Sequence, residues 1–416
     1  MQTLSVINFI VAALFVACCA YQAVYCCARL LRKRPTFQAG RLCRYGVLIC
    51  ARNESAVIGQ LIDSILAQDY PQELLDIFVA ADNCTDATAQ VARAHGAAVF
   101  ERQNKVQVGK GYALRFLLEK VAETGQSYDG FFVFDADNLL DPHYVTEMNK
   151  VFSNGADAVT GYRNTKNFGD NWITAGYGLW FLRESEYMNR PRDSFGVSCA
   201  VSGTGFLFSP SLLEGRGWEY FLLTEDLEFT ADLIARGRRV AYCGAAVLYD
   251  EQPTSFSQSI IQRSRWVKGY LQVIAKRGGS LVRRMLGAGS FACYDMLMTT
   301  LPAAVLTVCS ILVNSCMFVL GMLGARHEMG IFFQSVFSAV LNSYLLMFVM
   351  GLLPLVTEWK HIHATARKKV LAAFTYPVFV FTFGIAMLLA VFGNVQWKPI
   401  QHTVALSIGD LPPSKR

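Results

Sequence analysis

Charge is scarce in this chain. Only 17% of its 416 residues are Asp, Glu, Lys or Arg, 53% are hydrophobic, and the mean hydropathy is +0.30. That balance excludes an ordinary soluble globular protein. There is no C-x-x-C pair among the 12 cysteines, and no zinc-type spacing, which excludes a zinc ribbon or a dithiol redox motif. Cys18, Cys19, Cys309 and Cys316 lie in apolar runs, Cys26 and Cys27 at the edge of one, and Cys50, Cys199 and Cys243 in strand-like segments. They read as small buried hydrophobes that a cytosolic setting keeps reduced. No basic helix interleaved with aromatics occurs, so nucleic acid is excluded as a partner. Internal repeats and low-complexity tracts are absent too, so no repeat array organises the chain.

What is present is unevenly placed. Residues 4–28 form an apolar run longer than the roughly 20 residues needed to cross a bilayer. Its positive charges (Arg29, Arg32, Lys33 and Arg34) follow it, the opposite of a signal peptide's basic start. The run is therefore expected to be an anchor whose C-terminal end faces the cytosol. Further spans are expected at 300–324, 331–356 and 370–393. The link 325–330 carries one Arg, whereas 358–369 carries Lys360, Arg367, Lys368 and Lys369, which puts the second link in the cytosol. The net charge of +6 comes mainly from clusters beside apolar runs, Arg283 and Arg284 included, and suits an anionic membrane surface.

Between Arg29 and Arg284 the pattern is globular. Apolar runs (46–51, 75–81, 99–100 and 131–134) alternate with amphipathic stretches such as Val57, Ile58, Leu61, Ile62, Ile65, Leu66. Such alternation predicts an α/β domain with a mostly parallel sheet. The run Phe131-Phe132-Val133-Phe134 leads into Asp135-Ala136-Asp137. Open α/β sheets bind ligands at the C-terminal ends of their strands, and carboxylates at i and i+2 of an extended segment point the same way. The pair can hold Mg²⁺ or Mn²⁺ against a diphosphate; it also suits a plain strand-ending turn.

The arrangement strand–Asn53-Glu54–helix–Gln68-x-Tyr70-Pro71, strand–Asp82-x-x-x-Asp86, strand–Asp135-x-Asp137 resembles a family 2 glycosyltransferase of the GT-A fold. The resemblance implies that Ala51, Arg52, Glu54 and Asp82 cradle a uridine, that Lys110 and Asp135 lie near its diphosphate, and that Asp137 is the main metal ligand. Leu223-Thr224-Glu225-Asp226 places Thr224 as an N-cap with acids in the first turn. In the family this motif holds the catalytic base, here Asp226 supported by Glu225. Gln262-Arg263-Ser264-Arg265-Trp266 is similar to the signature of the processive synthases of cellulose, hyaluronan, chitin and poly-N-acetylglucosamine. There Trp266 would stack on the acceptor sugar and Gln262, Arg263 and Arg265 would hold the departing diphosphate. The segment Val201-Ser202-Gly203-Thr204-Gly205-Phe206 would line the acceptor site through Thr204, and residues 170–184 are expected to lie on the membrane interface or as an ordinary buried helix.

The expected organisation is an anchor (1–31), a GT-A domain (45–250), an amphipathic interface segment (251–290), three spans (291–393) and a tail (394–416). Four crossings would put that tail outside, whereas Trp397-Lys398-Pro399 resembles a cytosolic juxtamembrane motif of related synthases. The expected activity is inverting, metal-dependent transfer from UDP-glucose or UDP-N-acetylglucosamine to a β-linked polysaccharide, with export through its own spans. The alternative is single addition to a lipid-linked acceptor. Membrane lipids are the expected surroundings, in the plasma membrane with the catalytic domain cytosolic. Compared with cellulose synthases the chain is expected to have few spans and no regulation in cis by a domain that binds a cyclic dinucleotide.

Overall fold

The computed structural model describes residues 2–32, 35–38, 40–213, 215–300, 302–324, 329–396, 402 and 404–410. Four strands come first: β1 (Tyr45–Ala51), β2 (Leu75–Asp82), β3 (Ala98–Arg102) and β4 (Gly130–Asp135). They pair in parallel, Cys50 standing beside Ala80 on one side and Asp135 on the other. Their C-terminal ends therefore reach the same level. The strands β5 (Leu139–Leu140), β6 (Ala158–Thr165), β7 (Phe206–Phe208) and β8 (Val240–Asp250) complete one sheet in the order β3-β2-β1-β4-β7-β6-β8-β5. Only β7 and β5 run antiparallel to their neighbours, so the mostly parallel GT-A sheet expected from the sequence is found. Val47, Ile49, Val79, Phe132 and Phe134 are fully buried, as strands covered on both faces require.

In chain order the helices are α1 (Gln2–Cys19), α2 (Tyr21–Leu31), α3 (Ile58–Leu66), α4 (Thr88–Ala94), α5 (Lys110–Glu123), α6 (Tyr144–Ser153), α7 (Trp172–Arg183), α8 (Arg190–Ser194), α9 (Glu225–Ala235), α10 (Phe256–Ala288), α11 (Phe291–Thr300), α12 (Pro302–Gly324), α13 (Met329–Thr357), α14 (Ala366–Phe381) and α15 (Phe383–Phe392). On α3 the spacing Ile58, Leu61, Ile62, Ile65 puts four buried side chains on the sheet. The Gln68-x-Tyr70 motif proves to be a brace. Gln68 donates to the Asp141 carbonyl (2.8 Å) and accepts from Val145 N (2.9 Å), while the Tyr70 hydroxyl donates to the Cys43 carbonyl (2.7 Å).

Among the described residues three stretches are long and apolar enough to cross a membrane (Phe291–Cys316, Val336–Thr357 and Ala366–Phe392), and α1 and α2, bent by 41°, make a fourth as a pair. The N-terminal run is thus not one straight helix. Lys33, Arg34, Arg326 and Trp397 to Pro399 lie outside the described residues. All 12 cysteines are free thiols.

Two buried ionic clusters join the sheet domain to these helices. Arg192 of α8 donates to Asp295 of α11 at 2.6 and 3.0 Å, and the Tyr21 and Tyr25 hydroxyls donate to the same carboxylate. Arg29 of α2 pairs with Glu186 and Glu358, 2.8 Å each. Helix α7 is buried along most of its length, with α14 packed against it. Of its two expected placements the buried one is found. Gly176 makes this possible, because a Cβ there would stand 2.3 Å from the Phe379 ring. Asn171 caps α7, accepting from Ile173 N and Thr174 N. Beyond α15 the chain returns to the sheet. His402 Nδ1 lies 3.0 Å from Glu54, Val404 N donates to Glu251 (3.0 Å), and Leu406 and Ile408 pack on the core. The described part of the tail therefore packs on the sheet domain.

Candidate active site

A cleft of about 210 Å³ opens at the C-terminal ends of β1, β2, β4, β6 and β8. From β1 it receives Ala51, Arg52 and Glu54; from β2 Asp82; from β4 Asp135 and Asp137; from the start of α5 Lys110. The start of α9 adds Glu225 and Asp226, and α10 adds Gln262, Arg265 and Trp266. Stretches some 200 residues apart in the sequence thus meet at one place.

The expected geometry of Asp135-Ala136-Asp137 needs correction. Strand β4 stops at Asp135, and Ala136 and Asp137 form a turn, so the two carboxylates do not share an extended segment. Lys110 Nζ donates to Asp135 Oδ1 (2.5 Å) and to the Gly203 carbonyl (2.6 Å). Asp137 is buried and accepts the Glu251 N–H at 2.8 Å. Burial alone would push its pKa up. His402, Lys166 and that N–H outweigh burial and hold it below the usual carboxylate value. Among the described residues no three His, Cys, Asp or Glu side chains stand close enough to form a complete metal cage. The residues still fit a hard cation, because Mg²⁺ and Mn²⁺ characteristically take one or two protein carboxylates and draw the other ligands from substrate phosphates and water.

Two expected site residues face elsewhere. Arg263 is fully buried, with its guanidinium 4.4 Å above the Phe379 ring and 4.7 Å above that of Phe383, and Nη1 donates to the Phe379 carbonyl (3.0 Å). On a continuous helix Arg263 and Arg265 are two positions apart and so point to different faces; only Arg265 meets the cleft. Thr204 accepts the Asp135 N–H at 2.8 Å from behind and bonds Asn138, bracing the strand end without lining the main cleft. Thr224 stands at the N-cap of α9, but its hydroxyl makes no cap bond. It is buried without a hydrogen-bond partner among the described residues, its side chain packed where a Cβ on Gly269 would come within 2.5 Å.

Asp226 Oδ2 accepts the Gly203 N–H at 2.5 Å. Gly203 has φ +77°, a left-handed conformation that glycine adopts at little cost. Burial raises the pKa of Asp226, and burial together with the Asp226 charge pushes Glu225 up to about 7. Asp82 Oδ1 is held by Arg102 at 2.6 Å.

The cleft also contains residues the motifs did not indicate: Arg163, Glu184, Tyr270, Asp250, Glu251 and His402. Asp250 ends β8 and binds Arg163 Nε at 2.5 Å. The signal for Asp250 and Glu251 existed, since Val247-Leu248-Tyr249-Asp250-Glu251 repeats the apolar-run-into-acids pattern of β4. No pattern marks His402. Burial lowers its pKa, but Asp137, Glu54 and Glu251 outweigh that and bring it to about 10.

A family model described as "Glycosyltransferase like family 2" matches residues 43–269. Over 261 residues the chain is 26% identical to the poly-beta-1,6-N-acetyl-D-glucosamine synthase of Staphylococcus aureus, covering 59% of each. Over 233 residues it is 25% identical to the beta-monoglucosyldiacylglycerol synthase of Synechocystis sp., covering 54% of this chain and 47% of that one. The chain spans about half the length of the curated relatives it matches. Its fold is shared with a mannosyltransferase from Pyrobaculum calidifontis solved in complex with GDP-Man and Mn²⁺, with a TM-score of 0.62 at 14% identity over 94% of this chain and 99% of that one. With more than half its length matched by the family model, this chain belongs to glycosyltransferase family 2.

Proposed function

We propose that the protein transfers a sugar, with inversion, from a UDP-sugar to the growing end of a β-linked polysaccharide at the cytosolic face of the plasma membrane, and that the polymer leaves through its own spans. The observation that carries this reading is the meeting, in one cleft, of strand-end carboxylates, Lys110, Asp226 and the Arg265-Trp266 pair. Ala51, Arg52, Glu54 and Asp82 hold the nucleoside. Lys110, already steered by Asp135, and Arg265 face the diphosphate. A divalent ion held by Asp137 and Asp135 would neutralise charge on the leaving diphosphate. Asp226 takes the proton of the attacking hydroxyl, and its Gly203 contact fixes which oxygen is spent on the protein.

The test uses the purified full-length protein with UDP-glucose, UDP-N-acetylglucosamine and, as a control, GDP-mannose, each with Mn²⁺. Nucleotide release from a UDP-sugar together with a ladder of products is the expected result. Release from GDP-mannose alone would overturn the donor assignment. A second reading, single addition to a lipid, is favoured by similarity to a glucosyldiacylglycerol synthase; one glycolipid product would establish it.

Trp266 provides a separate check. Its ring meets Tyr177 and Phe181 edge-on at 5.7 and 6.0 Å and lines the cleft. Loss of an aromatic contact worth about 1 kcal/mol predicts that Trp266→Ala slows transfer to the acceptor about fivefold or more, while UDP affinity measured by calorimetry stays near wild type. Equal losses in both would make the ring a packing element.

A further inference from the structure

One dipeptide holds two carboxylates of the cleft. The Gly203 N–H donates to Asp226, and the Ser202 hydroxyl donates to Glu184 Oε1. The same two residues are pinned from the other side. The Ser202 carbonyl accepts from Arg163 Nη1 (2.8 Å) and the Gly203 carbonyl from Lys110 Nζ (2.6 Å). Asp226 and Glu184 are thereby tied to adjacent residues of one loop.

Glu184 opens a π-helical turn, Glu184–Asn189, directly after α7, a departure from regular helix that recurs at functional sites. Its Oε1 is anchored, whereas Oε2 has no hydrogen-bond partner among the described residues, and the side chain lines both the main cleft and a smaller cavity shared with Arg163, Phe181 and Ser202. Burial raises the pKa of this carboxyl despite the Ser202 bond and Arg163. With no protein donor on it and the side chain lining the cleft, this oxygen is suited to a donor arriving from outside. Trp180 and Phe181, one turn before Glu184, line the same cleft as Trp266.

We propose that Glu184 is an acceptor-specificity residue: its open oxygen accepts a hydrogen bond from a second hydroxyl of the sugar whose first hydroxyl faces Asp226. The acceptor is then a neutral carbohydrate end that presents two hydroxyls to Glu184 and Asp226 with its ring among the tryptophans. A phosphate brought to the same place would meet Glu184, Glu225 and Asp226, and like charges disfavour that partner. The inference rests on the reading of Asp226 as the base.

Full-length wild type, Glu184→Gln and Glu184→Ala are compared, with the active UDP-sugar as donor and with cello-oligosaccharides, chito-oligosaccharides and a polyprenyl phosphate as acceptors. Three quantities are read: the acceptor KM, the donor KM, and donor hydrolysis without acceptor. Loss of a hydrogen bond to a charged group predicts an acceptor KM raised about tenfold or more in Glu184→Ala, partly restored in Glu184→Gln, which keeps an accepting oxygen. Donor KM and hydrolysis stay within twofold of wild type. An unchanged acceptor KM overturns the proposal, as does hydrolysis falling in step with transfer, which would mean a structural role. Transfer to polyprenyl phosphate in preference to the oligosaccharides overturns it too. Failure of the underlying reading appears elsewhere, as undiminished transfer by Asp226→Asn.

Discussion

Asp226→Asn should lower turnover by about 10²–10⁴, the usual cost of losing a general base, with UDP binding unchanged. The substitution is close to isosteric, and the Asn carbonyl can still accept the Gly203 N–H that Asp226 receives at 2.5 Å. What disappears is the capacity to take a proton. The wild-type pH profile should carry the same information. Burial raises the Asp226 pKa and pushes that of Glu225 up to about 7. A base must be ionised to work, so the rate should climb as pH rises through the titration of this pair and level off above it. In Asp226→Asn the climb should vanish along with the rate. A variant that keeps wild-type turnover and its pH limb would transfer the role to Glu225.

Asp137→Asn should cost about 10²–10³ in turnover, the scale of removing one preorganised contact to a developing charge. The surroundings favour the ionised form, since His402, Lys166 and the Glu251 N–H together overcome the effect of burial. Asn keeps the shape and can still accept the Glu251 N–H, so the fold should persist. Calorimetry of UDP in the presence of Mn²⁺ should show weakened binding in the variant, and binding without metal should match wild type. Chelation should abolish wild-type turnover, and added Mn²⁺ or Mg²⁺ should restore it. Full activity in excess chelator would remove the metal from the reaction.

The first four strands were legible because their signals are local. Buried parallel strands read as unbroken apolar runs, and 45–51, 75–82 and 130–135 announce themselves. The strand-end acids were legible for the same reason. Side-chain direction on long helices was not. Arg263 and Arg265 look equivalent in a five-residue motif, and only the helix phase and the aromatic rings of α14 and α15 tell them apart. Thr224 shows a similar limit. It occupies the N-cap, yet Gly269 packs so closely that its hydroxyl is enclosed, and Glu228 instead accepts the Phe221 and Leu222 N–H groups at 3.1 Å. His402 stayed hidden because its partner, Glu54, is 348 residues away, and nothing local records a contact of that range.

The ionic clusters between Arg192 and Asp295, and between Arg29, Glu186 and Glu358, bear on where this enzyme can be cut. Residues 43–269 suffice for family membership, yet both clusters cross that boundary. A fragment ending there would keep Arg192 and Glu186 and lose Asp295 and Arg29. It would also bare Gly176 and Arg263 where Phe379 now covers them. Removing one member of a buried pair costs about 3–5 kcal/mol, against a typical domain stability of about 5–15 kcal/mol. Glu186 would keep Arg190 at 3.0 Å, so the Arg192–Asp295 pair is the loss that counts, and it takes a large share of that stability. The boundary drawn by homology is therefore not a boundary in the folding of the chain, and the sheet domain is a tenant of the apolar helices around it.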